Sequence, residues 1–254
     1  EIASLKERFP TYSKFELNWK DGISNYYFID CLSEVLNSTD LIVPGSSGAC
    51  SELMMQNFKI KLGQRLLNSE AMGPMGFGIA AAIGANIASG NKRTICVDGD
   101  GGFAMNIQEL STVSALNLNI HFFIQNNNGY GSIKNTQNSL FGGRQLGTDA
   151  HSGLYLPNYK AVANAFDIRY RKLTDNSNLK LCLTEILDSS GPSITEIIVS
   201  NEHKTLSKVD SYLLPTGNVT THPLEDMSPL LDLNTLNEIF EGNLLEETVK
   251  RNRQ

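Results

Sequence analysis

The stretch VDGDGGFAMNIQELSTVSALNLNIHFFIQNN, from Val97 to Asn127, holds the side chains best able to do chemistry. An apolar run, Thr94 to Val97, leads into Asp98-Gly99-Asp100-Gly101-Gly102. A helix-like segment follows, and a second apolar run, His121 to Ile124, ends in Gln125-Asn126-Asn127. As a βαβ unit, this places two oxygen donors, Asp100 and Asn127, at the C-terminal ends of two parallel strands. Open α/β sheets bind ligands at that edge. One carboxylate, one amide and the bare backbone amides of Gly99, Gly101 and Gly102 suit a hard cation that carries a phosphate.

Other readings of the same residues stand beside this one. Gly99-Asp100-Gly101-Gly102-Phe103-Ala104 formally fits the dinucleotide fingerprint G-x-G-x-x-G/A. Against it, Asp100 would push a carboxylate at a pyrophosphate unless a metal intervenes, and Asn126-Asn127 stands where a ribose-binding acid is expected. The blandest reading is a tight βα turn with no ligand, in which Asn127 serves as a strand-end turn residue. Cys50 has no neighbouring His to make it a nucleophile.

The elements that must position these groups are legible upstream and downstream. Asn25 to Asn37 has apolar residues at helical spacing (Tyr27, Ile29, Leu32, Val35, Leu36). Leu41-Ile42-Val43 reads as a buried strand stopping at Pro44-Gly45-Ser46-Ser47-Gly48, Cys50 to Phe58 as a helix, and Arg65-Leu66-Leu67 as a short strand. The string Met72-Gly73-Pro74-Met75-Gly76-Phe77-Gly78 opens an Ala/Gly-rich helix, Ile79 to Ala88, suited to close packing on a sheet. Residues 129–156 show no clear period and read as a long loop or mobile cover. Beyond them come helix Tyr159 to Phe166, strand Ile168 to Leu173, helix Leu179 to Leu187 and strand Ser193 to Val199. After Asn201 the chain is polar, carries Pro215, Pro223 and Pro229, and ends in a short helix near Leu233 to Phe240. The alternation predicts an α/β domain: an open parallel sheet of about six strands with helices on both faces. The domain boundaries expected are an arm or linker over 1–20, a ligand-binding domain over 21–205 and a C-terminal extension over 206–254.

Composition narrows the function classes. The net charge of −6, without a Lys/Arg block, argues against a nucleic-acid surface. No apolar run approaches the ~20 residues of a membrane span. Four scattered cysteines (Cys31, Cys50, Cys96, Cys182), none in a CxxC pair, read as reduced thiols of a cytoplasmic protein.

GDG followed after a gap by NN resembles the cofactor motif of thiamine-diphosphate enzymes. Gly73-Pro74-Met75-Gly76-Phe77-Gly78-Ile79-Ala80-Ala81-Ala82-Ile83-Gly84-Ala85 and Phe103-Ala104-Met105-Asn106-Ile107-Gln108-Glu109-Leu110 are similar to acetolactate synthases and 2-keto-acid decarboxylases. The likeness runs in order from about Leu41 to Ser200. It implies thiamine diphosphate and Mg²⁺ as cofactors, with Asp100, Asn127 and the Gly129 carbonyl on the metal. It also implies Gly99, Gly101 and Gly102 against the diphosphate, with Gly48, Ala49 and Cys50 near its other end. Ala49 and Cys50 depart from the Gln and His of many acetolactate synthases, so backbone amides would serve there. Met75 would wedge between the two cofactor rings, against its ordinary use as a core gap-filler. The Gly73 carbonyl would hold the pyrimidine amino group. Tyr130, Gly131, Ser132 and Ile133 would line the cofactor side. In the cover segment Phe141 to Pro157, Arg144 suits a substrate carboxylate or phosphate, or is a solvated loop arginine; His151 and His203 read as surface histidines.

The resemblance also implies a catalytic glutamate from a separate pyrimidine-binding domain or subunit, and no second α/β unit is visible to supply it. The chain, opening on Glu1, therefore reads as a fragment or one subunit of a homo- or hetero-oligomer acting on a small 2-keto acid. The implied reaction is decarboxylation with ligation of the acyl unit to an acceptor. Residues 142–157 and the tail His222-Pro223-Leu224-Glu225-Asp226-Met227-Ser228-Pro229-Leu230-Leu231 are similar to proteins of surface-sugar biosynthesis, where the acceptor is a keto-sugar nucleotide. Two alternatives of other classes remain: a dinucleotide-binding oxidoreductase domain, and a non-catalytic subunit that keeps the fold.

Overall fold

The computed structural model describes residues 2–10, 19–46, 48–69, 72–200, 205, 207–209 and 211–251. Six strands, β1 Leu41–Pro44, β2 Arg65–Leu66, β3 Thr94–Gly99, β4 Ile120–Asn126, β5 Arg169–Leu173 and β6 Ser193–Ile198, form one sheet. Its order is β2-β1-β3-β4-β6-β5, and every pairing is parallel. The expected open parallel sheet is the fold observed.

The central strands are apolar runs because both of their faces are covered. Alternate residues feed two cores. Ile42, Ile95, Val97, Phe123 and Ile197 face the helices Asn25–Val35, Glu52–Asn57 and Leu179–Leu187. Val43, Cys96, Phe122, Ile124 and Ile194 face the helices Phe77–Ala88, Leu110–Ala115 and Tyr159–Ala165. Aromatic pairs lock each layer: Phe28 on Phe123 at 5.7 Å, and Phe103 edge-on to Phe122 at 5.5 Å. Each fully buried Leu, Ile or Phe contributes about 1.5–3 kcal/mol of transfer free energy. The exposed edge strand β5 carries Arg169, Arg171 and Lys172, charges that discourage pairing with a further strand.

Strand β2 lies to one side of β1, and β3 to the other. The chain thus leaves β1 and β3 in opposite directions, and the crevice between their C-terminal ends is a topological switch point. The Asn25–Val35 helix starts at Ser24, whose hydroxyl accepts the Tyr27 N–H. The Phe77–Ala88 helix starts at Gly76 in the left-handed region, φ 91°, so it can turn sharply out of the glycine string.

Two elements before β5 depart from expectation. Within 129–156, expected to be a loop, Gly131–Leu140 is a helix with no buried residue. Its mean hydropathy is low, and Ile133 and Leu140 are too few apolar residues to stand out among the Gly, Ser and Asn around them. A helix, Ile2–Arg8, also lies in the expected irregular arm, and residues 11–18 of that arm lie outside the described residues.

Contacts divide the chain into two units, 1–135 with 145–203 and 136–144 with 204–254. The first holds the sheet. The second holds an antiparallel pair, Ser211–Leu213 with Val219–Thr221, and the helices Leu233–Ile239 and Glu246–Lys250. Asp232 caps the first of these helices, and Arg251 holds the Asp226 carbonyl at 2.6 Å. Among the described residues no helix is long and apolar enough to cross a membrane.

Candidate functional site

Strand β3 runs through Gly99, and Asp100 opens the helix Asp100–Ala104 directly at the strand tip. The Asp100 carboxylate is 2% exposed. It accepts the Gly101 N–H at 2.7 Å and, across the crevice, the Gly129 N–H at 3.0 Å. The backbone N–H groups of Asn127 and Asn128 also face it. The segment after β4 therefore wraps the carboxylate that ends β3. Tyr159 donates its phenolic hydrogen to the Asp100 carbonyl at 2.6 Å and fixes the backbone from below.

Burial pushes the Asp100 carboxyl up to about 6, and backbone hydrogen bonds oppose the rise. Among the described residues no Lys, Arg or His forms an ion pair with it. A buried carboxylate held only by backbone dipoles is a place where a cation stabilises the charged form. Among the described residues no three His, Cys, Asp or Glu side chains cluster to hold an ion by themselves. Mg²⁺ that shares its shell with phosphates requires only one or two carboxylates. The donor set thus fits a shared ion.

The glycines bring four chain segments together around this point. A side chain on Gly101 would overlap the Tyr130 ring and reach the Met75 methyl at 3.3 Å. One on Gly48 would lie 2.9 Å from the Ser132 hydroxyl, and one on Gly73 2.6 Å from the Ser46 carbonyl. One on Gly131 would lie 2.6 Å from the Asn127 amide nitrogen. Gly48 and Gly73 also have positive φ, 62° and 48°. The Asn106 amide donates to the Gly76 carbonyl at 2.9 Å and ties the Gly73–Gly78 string to the segment after β3.

Of the expected site residues, Gly48, Gly73, Met75, Gly99, Asp100, Gly101, Asn127, Gly129, Tyr130 and Gly131 converge on the switch point. Gly102 turns inward, where a side chain would meet Asp98. The Cys50 thiol is likewise directed into the core, 4.0 Å from Asp98 Oδ1. Ala49 lies in the turn Gly48–Cys50, its side chain outside the described residues, as are Ser47 and His203. Asp149 is structural: it pairs with Lys134 at 2.7 Å, which holds its carboxyl well below the usual range, and it caps the turn Ala150–Ser152. His151 and Tyr155 are exposed, and Arg144 belongs to the second unit.

Sequence reasoning passed over Asp98. Its carboxyl is 1% exposed, and burial raises it to about 7. Oδ1 accepts the Gly99 N–H at 2.9 Å, and Oδ2 has no hydrogen-bond partner. Side chains at Gly45, Gly78 or Gly102 would each collide with it, so three glycines enclose one buried acid beneath the site. The only signal in the sequence was a charged residue inside an apolar strand.

Residues 46–197, more than half of the chain, match the family model of the thiamine pyrophosphate enzyme C-terminal TPP binding domain. The chain is 29% identical over 205 residues to acetolactate synthase 2, chloroplastic, of Nicotiana tabacum, covering 78% of this chain and 31% of that protein. It is 28% identical over 215 residues to acetolactate synthase 3, chloroplastic, of Brassica napus, covering 83% and 32%. It is 35% identical over 145 residues to the acetolactate synthase large subunit of Cyanidium caldarium, covering 57% and 24%. The chain thus spans about a third of the length of these curated relatives or less.

Proposed function

The chain belongs to the thiamine pyrophosphate enzymes through their C-terminal cofactor-binding domain, and from that membership we propose that its β1/β3 crevice holds Mg²⁺ and the cofactor diphosphate. Thiamine diphosphate is the cofactor of this acetolactate-synthase-like family. Residues 21–205 are the binding domain in this reading. Asp100 and Asn127 supply side-chain oxygens to the ion, and the Gly129 carbonyl supplies a third. Gly99, Gly101 and Gly102 border the diphosphate without side chains to block its approach, the Gly99 and Gly101 N–H groups being turned to the Asp98 and Asp100 carboxylates, with Gly48, Ala49 and Cys50 at its other end. One observation carries the reading: a buried carboxylate at a strand tip, wrapped by the 127–129 backbone and without a cationic partner among the described residues.

Bound there, thiamine diphosphate would supply a nucleophilic carbon and an electron sink for decarboxylation of a 2-keto acid. The residues of this chain do the positioning. Met75, with its methyl group beside Gly101 and the Tyr130 ring, would pack against the apolar part of the cofactor and set its conformation. The Gly73 carbonyl would accept a hydrogen bond from the cofactor's pyrimidine amino group and so orient it as an internal base, a contribution through proximity. The enzyme as a whole decarboxylates a 2-keto acid and ligates the acyl unit to a carbonyl acceptor. The sequence of the tail favours the keto-sugar-nucleotide class for that acceptor. The glutamate that protonates the pyrimidine comes from a pyrimidine-binding partner domain or subunit, so the domain alone turns over little.

The test is calorimetric titration of thiamine diphosphate with and without Mg²⁺. Expected is Mg²⁺-dependent binding that Asp100→Ala abolishes. Binding indifferent to Mg²⁺, or unchanged in Asp100→Ala, refutes the metal role; NAD binding instead would favour a dinucleotide domain.

A further inference from the structure

From the β5 edge of the sheet, a line of side chains climbs through β6 and β4 toward the site. Tyr170 on β5 donates its phenolic hydrogen to Glu196 Oε2 on β6. Glu196 Oε1 accepts the Asn126 amide nitrogen on β4 at 2.6 Å. Asn126 Oδ1 then accepts the Asn128 N–H at 2.8 Å. In register, Glu196 pairs with Ile124, two residues before Asn126, and Tyr170 pairs with Ile194, two before Glu196. Residues two apart share a face, so the line rises one pleat per strand.

Glu196 is 7% exposed and Asn126 also 7%, so both sit where a hydrogen bond is directional and costly to lose. The chemistry fixes the order of the chain. A free Asn126 amide could present either oxygen or nitrogen to β6. A carboxylate only accepts, so Glu196 takes the nitrogen and leaves the oxygen for Asn128. That oxygen closes a turn around Asn128, whose φ of 58° lies in the left-handed region. The turn delivers Gly129 to Asp100, with its N–H 3.0 Å from Oδ2.

We infer that Glu196 is a positioning residue for the cation site: through Asn126 it sets the turn that presents Asn127 and Gly129 to the metal held by Asp100. This rests on the Mg²⁺-binding reading above. Outer-shell partners of metal ligands act in this way, and their loss typically weakens metal binding 10–100-fold.

The test is Mg²⁺ titration calorimetry on the intact protein at saturating thiamine diphosphate, with the unfolding midpoint of each metal-free variant measured alongside. Glu196→Met leaves the amide of Asn126 unoriented, and Mg²⁺ binding is expected to weaken at least tenfold. Glu196→Gln can still accept from Asn126 while its own amide donates to Tyr170, so binding is expected within about threefold of wild type. A purely structural Glu196 would move the unfolding midpoint and leave the Mg²⁺ affinity of the folded protein unchanged; that result overturns the inference, as does Gln weakening binding as much as Met. If Glu196→Met does not fold, Asn126→Ala cuts the line one bond nearer the loop and must weaken Mg²⁺ binding by at least tenfold. Wild type lacking Mg²⁺-dependent binding overturns the functional reading itself, whereas normal wild-type binding with unaffected variants overturns the relay alone.

Discussion

Replacing Gly73 by Ala asks whether the glycine string after β2 is a conformational requirement or a compositional accident. Gly73 has φ 48°, in the left-handed region, and a Cβ built there lies 2.6 Å from the Ser46 carbonyl oxygen. An L-residue in that region costs about 1–2 kcal/mol. The overlap adds about 1–3 kcal/mol, because a backbone carbonyl cannot swing aside as a side-chain tip can. The two costs share one relief, a shift of the 72–76 segment, so a net loss of about 2–4 kcal/mol is expected. Gly84 is the matched control. It lies in the Phe77–Ala88 helix with open space around it, so Gly84→Ala should stabilise by about 0.5–1 kcal/mol. Urea unfolding of the cofactor-free protein reads both signs. Titration with thiamine diphosphate at saturating Mg²⁺ then reads whether the shift drags Met75, with at least tenfold weaker binding expected for Gly73→Ala only. If Gly73→Ala stays within about 0.5 kcal/mol of wild type and binds normally, the steric reasoning is wrong, since it predicts opposite signs for two Gly→Ala changes.

The remaining expectations concern buried charge. Burial raises the Asp100 carboxyl to about 6, so the contribution of this group to the stability of the metal-free protein is fully present below the unfolded value near 3.9 and is lost as pH rises through about 6. Asp100→Asn should remove about 3 kcal/mol of that decline and abolish Mg²⁺ binding, and an unaltered slope in denaturation from pH 4 to pH 7 contradicts it. His121 has the opposite sign. It is fully buried, bonded through Nδ1 to Ser193 at 2.8 Å, and burial lowers it to about 4, so it stays neutral while the unfolded chain takes up a proton. It contributes stability above about pH 6.5 that is lost toward pH 4; relative to His121→Gln, wild type should lose about 3 kcal/mol over that range, and parallel pH profiles would rule this out. Gly45→Ala would press a methyl into the Asp98 carboxyl and lie 3.0 Å from its Cα, so unfolding should reveal at least about 2 kcal/mol of destabilisation; a neutral result means that Asp98 is not confined as described.

The sheet was legible because its central strands are apolar runs punctuated by glycine, as burial on both faces demands. The tip residues Asp100 and Asn127 were legible because a polar donor at the end of such a run has no packing role to explain it. The Gly131–Leu140 helix was not, since a mostly polar surface helix with only Ile133 and Leu140 apolar is hard to tell from a loop. Asp98 escaped because a single charged letter inside an apolar strand does not reveal that Gly45, Gly78 and Gly102 converge on it from distant segments. The Tyr170–Glu196–Asn126 line escaped for a similar reason. Its members are spread over β4, β5 and β6, and only the strand order β4-β6-β5 makes them neighbours. The Cys50 thiol is directed inward at Asp98, which leaves only its backbone for the phosphate contact that its place in the chain suggests.

The central claim is that one divalent ion joins the tips of β3 and β4 to the diphosphate of the cofactor. Mn²⁺ scatters anomalously and accepts the same oxygen ligands as Mg²⁺, so crystals grown with Mn²⁺ and thiamine diphosphate locate the ion directly. The account predicts a single strong anomalous peak about 2 Å from an Asp100 carboxylate oxygen, the Asn127 side-chain oxygen and the Gly129 carbonyl. A peak elsewhere, or cofactor bound with Asp100 contacting nothing but the Gly101 and Gly129 amides, would contradict it.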